Sequence, residues 1–180
     1  MDTDHNHQAH QGLAIGLILV GVVARLVPHA PNVTPLTAMA LFGATYLSRR
    51  WGILLPLATV ILSDLILGLH ETILFTWGGF ALTGLVGWWL RRQPSAGRIV
   101  ASAVAGSFIF FLVSNFGVWL LGDGGTMYPK TAEGLWSCFV AALPFYRNTL
   151  VGDLVYTAGF FGLYAWVNQR VLVSTAARVR

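Results

Sequence analysis

Cysteine occurs once in the 180 residues, at Cys138, which excludes an intramolecular disulfide and any CxxC metal or redox motif. Lysine also occurs once, at Lys130, and charged residues make up only 10% of the chain, against about 25% in a soluble domain. No GxxxxGK[ST] run is present, so there is no phosphate-binding loop of the kind ATPases use. Residues 1–11, MDTDHNHQAHQ, are polar and acidic where a secretory signal begins basic, and no cleavable signal is expected. What the chain does contain is apolar. A hydrophobic content of 56% and a mean hydropathy of +0.67 describe a polytopic membrane protein, expected to be one domain. Lys130 and ten arginines supply all eleven basic charges, mostly in short clusters, so the basic balance speaks of membrane topology and not of nucleic acid.

The central stretch is WGILLPLATVILSDLILGLH, residues 51–70, long enough to cross a bilayer yet carrying Asp64. An acid inside a span is expensive and by default faces a partner or a wet cavity. On a continuous helix Asp64, Gly68 and Glu71 stand at i, i+4 and i+7, which predicts both acids on one face. Around this stretch the expected architecture is all-α: six transmembrane helices plus a short interfacial helix. The expected spans are residues 12–27, 36–47, 51–70, 73–90, 99–121 and 149–172, with a flexible polar tail over 1–11 and a basic tail over 173–180. Residues 135–146 are too few to cross, since twelve residues of helix reach about 18 Å, and Pro144 lies near their end. The connection Pro28-His29-Ala30-Pro31-Asn32-Val33-Thr34-Pro35 cannot continue a helix. It should fold over the bundle, with Thr34-Pro35 as the start of the second helix. His5, His7 and His10 in the tail could bind a transition metal, but a solvated tail explains them without one.

Orientation follows from arginine. With six spans and both termini on one side, that side holds Arg49, Arg50, Arg91, Arg92, Arg98, Arg170, Arg178 and Arg180, and the other only Arg25, Lys130 and Arg147. The positive-inside rule makes the first side cytoplasmic. A set of polar residues then falls at the outer level. It comprises Arg25, Asn32, Thr34, Asp64, His70, Glu71, Trp77, Asn115, Trp119, Tyr128, Arg147, Asn148 and Asp153, with Thr37 and Thr76 nearby. Such a layer could merely knit the bundle, Arg25 pairing with Asp64 or Asp153. Confined to one side beneath proline- and glycine-rich loops, and rich in Trp and Tyr, it better fits a pocket open to the outside. A proton or ion path would need polar groups through the inner half as well.

The motifs are specific. Arg25-Leu-Val-Pro-His-Ala-Pro-Asn32-Val-Thr-Pro35, Ala40-Leu-Phe-Gly-Ala44, Ser63-Asp64-Leu-Ile-Leu-Gly68-Leu-His70, Ser114-Asn-Phe-Gly-Val-Trp119, Tyr128-Pro and Pro144-Phe-Tyr-Arg-Asn148-Thr-Leu-Val-Gly-Asp153 together resemble a family of small bacterial membrane proteins regarded as transporters. That family is similar, more distantly, to the substrate-binding S components of energy-coupling factor transporters. The resemblance implies six helices with both termini inside, a vitamin or similar micronutrient bound under the outward loops, and no enzymatic activity or cofactor. It also implies partners, a transmembrane T component and two ATPase subunits. S components dock through an AxxxA pair on their first helix; here Gly12 and Gly16 stand there instead, and Ala40 with Ala44 is the next candidate face. The acids and arginines of the layer suggest a polar or weakly cationic ligand. The alternatives are a membrane enzyme using Asp64 or Asp153 with His70, a metal-ion importer, and a purely structural bundle.

Overall fold

The computed structural model describes residues 12, 15, 16, 19–25, 27, 32–47 and 51–178. The tail with His5, His7 and His10, residues 28–31 of the proline-rich connection, Arg49, Arg50 and Arg180 lie outside the described residues. All regular structure among the described residues is helical. Helix α1 is present at Gly12, Ile15, Gly16 and residues 19–25. It is followed by α2 (Leu36–Tyr46), α3 (Trp51–Leu67), α4 (Ile73–Leu90), α5 (Ala96–Gly125) and α6 (Ala132–Arg178).

Three of these are long and apolar enough to cross a membrane: α4, α5 and, within α6, Ala132–Arg170. The expected count of six is therefore not met by length among the described residues. The reason is clearest in α2, whose 11 residues reach only about 16 Å. Ten of them, Leu36 to Thr45, are buried inside the protein. A helix apolar on every side belongs at the centre of a bundle as readily as in lipid, and here it takes the centre. Phe42 meets Phe160, Phe161 and Tyr164 of α6 edge-on, with centroids 5.8, 5.2 and 5.4 Å away. On its other side α2 meets α4 at Gly87, where an added Cβ would stand 2.7 Å from Ala44 Cβ and 2.8 Å from the Leu41 carbonyl oxygen. The Thr45 hydroxyl spans the same contact, donating to Leu41 O at 2.7 Å and lying 3.3 Å from Gly87 O. Ala40 and Ala44, 3% and 0% exposed, are thus consumed inside the bundle. Their expected use as an external docking face is corrected. Gly12 and Gly16, by contrast, have no atom within 4 Å of a built Cβ.

Helix α4 keeps the expected bounds, and α5 leaves helical geometry at Gly122, Asp123 and Gly124, just past the expected end at Leu121. The two lie side by side. Phe80 stacks on Phe110 at 4.5 Å, and the Thr83 hydroxyl sits 3.0 Å from Gly79 O and 3.3 Å from Gly106 O.

Two further expectations are overturned. Helix α3 ends at Leu67 and Gly68 takes φ +112°, so the chain turns before Glu71 and the two acids do not share a helix face. Glycine alone adopts that conformation without strain. Residues 135–146 are not a separate interfacial helix: α6 is helical from Ala132 through Pro144 and onward.

Candidate ligand-binding site

Along α5, Phe110, Phe111, Ser114, Asn115 and Val118 recur at helical spacing. Along α6, Cys138, Ala141, Ala142, Phe145 and Thr149 do the same. These two stripes face one another across a cavity of about 390 Å³, which Met127 and Tyr128 border from the connecting loop, with Asn32 and Tyr146. The walls are aromatic and jointed. Phe111 touches Tyr146 at 4.7 Å and Phe139 at 5.5 Å between centroids.

Much of the polar capacity in these walls is spent on backbone. Ser114 Oγ donates to Phe110 O at 2.7 Å, Thr149 Oγ1 to Phe145 O at 3.1 Å, and Cys138 Sγ to Asn115 O at 3.4 Å. Such back-bonding is how a helical hydroxyl is satisfied where water is excluded. Asn115 commits one amide hydrogen, from Nδ2 to Phe111 O at 2.8 Å. Its carbonyl oxygen and second N–H are left for a guest. Among the described residues, no lysine, arginine, histidine or carboxylate lines the cavity.

The loop over residues 122–131 is fastened down rather than loose. Trp119 Nε1 donates to Pro129 O at 2.9 Å. Lys130 Nζ donates to Trp119 O and lies 5.5 Å over the Trp119 ring. Glu71, on the turn between α3 and α4, accepts a hydrogen bond from the Gly124 amide at 3.2 Å. Asp123 at φ 53° and Gly124 at φ 61° set the tight reversal. Glu71 and Trp119 therefore hold the loop and do not line the cavity.

Of the predicted layer, Asn32, Asn115 and Tyr128 come together at the cavity. Three others make a separate cluster. Arg25 Nη2 lies 3.3 Å from Asp64 Oδ1, and Trp77 Nε1 donates to Asp64 Oδ2 at 2.9 Å. Asp64 is 4% exposed, so its charge is compensated inside the bundle. Asp153, 1% exposed, stands apart from both groups, accepting from Ser107 Oγ at 2.5 Å and from the Thr37 hydroxyl. It lies one turn beyond Thr149 on the same α6 face. His70 is exposed and bonds Thr72 Oγ1 through Nδ1 at 3.0 Å. Thr34 is half-buried and Arg147 exposed, while Asn148 is half-buried with its own interaction; none of them lines the cavity. The α6 wall escaped the sequence, because Ala, Phe and Cys at helical spacing read equally as core. Its only signal is the helical spacing within residues 135–146, the stretch expected to form a short interfacial helix.

No curated protein and no solved structure matches the chain. One family model does, over residues 5–176, and it bears the description "Family of unknown function (DUF6580)". Because the match runs through nearly the whole sequence, the chain belongs to that family.

Proposed function

We propose that this protein is a membrane-embedded capture subunit, similar in role to the S component of an energy-coupling factor transporter, which takes up a small polar molecule from the outer side. The observation that carries this is the α5–α6 cavity, with aromatic walls and the open amide of Asn115 under a fastened loop. Such a combination of apolar walls and a few oriented polar groups suits a small guest. Among the described residues its lining carries no charged side chain, which favours an uncharged polar molecule over the weakly cationic one suggested by the acids and arginines of the chain. On this proposal the chain passes the inner membrane six times, with both termini cytoplasmic and α2 as a short internal pass. Gly12 and Gly16 offer a bare helix surface for a transmembrane partner coupled to ATPase subunits. The catalytic alternative has less support: His70 bonds Thr72, and Asp64 is occupied by Arg25 and Trp77.

Cys138 gives a direct test, because the one cysteine of the chain lines the cavity. In sealed right-side-out vesicles, a small membrane-impermeant thiol reagent should modify Cys138 from outside, and Phe substituted for Ala142 should slow the reaction by filling the cavity. Modification only after the inner face is exposed would defeat outward capture.

A further inference from the structure

At the opposite end of the α4–α5 pair from the fastened loop, two hollows adjoin. One, about 600 Å³, is an apolar groove walled by Leu82, Leu85, Val86, Ala101, Ala105 and Ile109. Along α5 it extends about 12 Å, from Ala101 to Ile109. The other, about 550 Å³, shares Leu85 and Trp89 with it and is rimmed by Arg91 and Arg92. Arg98 stands beside the shared Trp89, its guanidinium 5.3 Å over the ring. No carboxylate occurs in the sequence between Glu71 and Asp123, and none is paired with this end among the described residues. Arg92 is exposed and pairs with no acid among the described residues.

One polar residue lies in the groove wall. Ser102 lines it, is 1% exposed, and its Oγ has no hydrogen-bond partner. That hydroxyl is shut off from the surface, so the groove wall beside it is apolar. Ser102 lies one helical turn, about 6 Å, deeper than Arg98.

We propose that this groove is a binding site for one anionic phospholipid. Its phosphate sits among Arg92, Arg98 and Trp89, and an acyl chain lies along Ala101, Ala105 and Ile109. Each part of the groove answers one part of such a molecule, in depth order: charge at the rim and an apolar wall below it. A helix of a protein partner would fill the apolar bed but leave the basic rim without an anion. The site is independent of the α5–α6 cavity and of any ligand held there.

The full-length protein, delipidated in a neutral detergent, should be titrated with phosphatidylglycerol and with phosphatidylcholine of the same acyl chains. Bound lipid is counted by native mass spectrometry and thermal unfolding is followed in parallel. One phosphatidylglycerol should be retained, with affinity roughly thirtyfold above phosphatidylcholine, whose quaternary ammonium cancels the phosphate charge that the two arginines would meet. Arg92→Gln with Arg98→Gln should remove that preference. Ala105→Trp, at an exposed position, should abolish retention with both arginines in place and leave the lipid-free unfolding temperature unchanged. Equal affinity for the two lipids would overturn the site as merely annular. Retention that survives Ala105→Trp would reduce it to headgroup contact. Equal stabilisation by inorganic phosphate would make it an ion site. Dimers abolished by Ala105→Trp, without lipid preference, would hand the groove to a protein partner.

Discussion

Asp64 decides most at the scale of single residues. Its two oxygens are met by different partners, Arg25 at 3.3 Å and Trp77 at 2.9 Å, in a setting that leaves it 4% exposed. Breaking a buried pair leaves one charge uncompensated, a cost of about 3–5 kcal/mol, whereas removing both charges avoids that cost. Asp64→Asn and Arg25→Gln should each lower the unfolding temperature in detergent, and the double substitution should recover most of the loss. Additive losses would mean that the two residues act separately. Trp77→Phe removes one donor and should cost about 1 kcal/mol. Asp153 behaves differently, because its described hydrogen bonds come from hydroxyls and not from a cation. A buried carboxylate without a countercharge is unfavourable, so Asp153→Asn, which keeps shape and hydrogen bonding, should leave stability level or raise it. A fall of several kcal/mol would point to a cation at that carboxyl.

Packing of elements turns on α2 against α4. Gly87→Ala places a methyl group 2.7 Å from Ala44 Cβ and should destabilise by about 1–3 kcal/mol, despite the better helix propensity of alanine. Gly16→Ala meets nothing within 4 Å and should be neutral or gain up to about 1 kcal/mol. Unfolding temperatures of the two variants, measured side by side, check both signs. What the sequence could reveal about elements depended on whether the signal was local. The bounds of α4 and the end of regular helix in α5 are written in short runs, Glu71-Thr72, Arg91-Arg92 and Gly122-Asp123-Gly124, and both were legible. The fate of α2 was not, because an apolar run has the same pattern whether lipid or protein surrounds it. Gly68 hid the end of α3, since a glycine inside an apolar helical pattern gives no sign of its φ. Pro144 misled in the other direction: it suggested a break, and α6 runs through it. The cavity was half legible. Asn32, Asn115 and Tyr128 were picked out as polar residues at one level, while the opposing stripe of α6 carries no polar signature strong enough to separate it from core.

For the whole molecule, the proposal requires that the α4–α5 turn and the 122–131 loop lie on opposite faces of the membrane, as the ends of one spanning helix do. In a Cys138→Ser background, cysteines placed at Arg92 and Gly124 should label from opposite sides with an impermeant reagent, Gly124 from outside. Gly16→Leu should weaken association with a T component without reducing what the isolated protein binds. Unchanged association would clear α1 of that role. The central claim is that the α5–α6 cavity holds a small molecule, and the most direct measurement is mass spectrometry of small molecules retained by the purified protein, beside those retained by Asn115→Leu and by Ala142→Phe. The account predicts one compound near 1:1 with the native chain and lost from both variants, each still folded by thermal unfolding. The same compounds retained equally by all three proteins, or none retained by any, would contradict it.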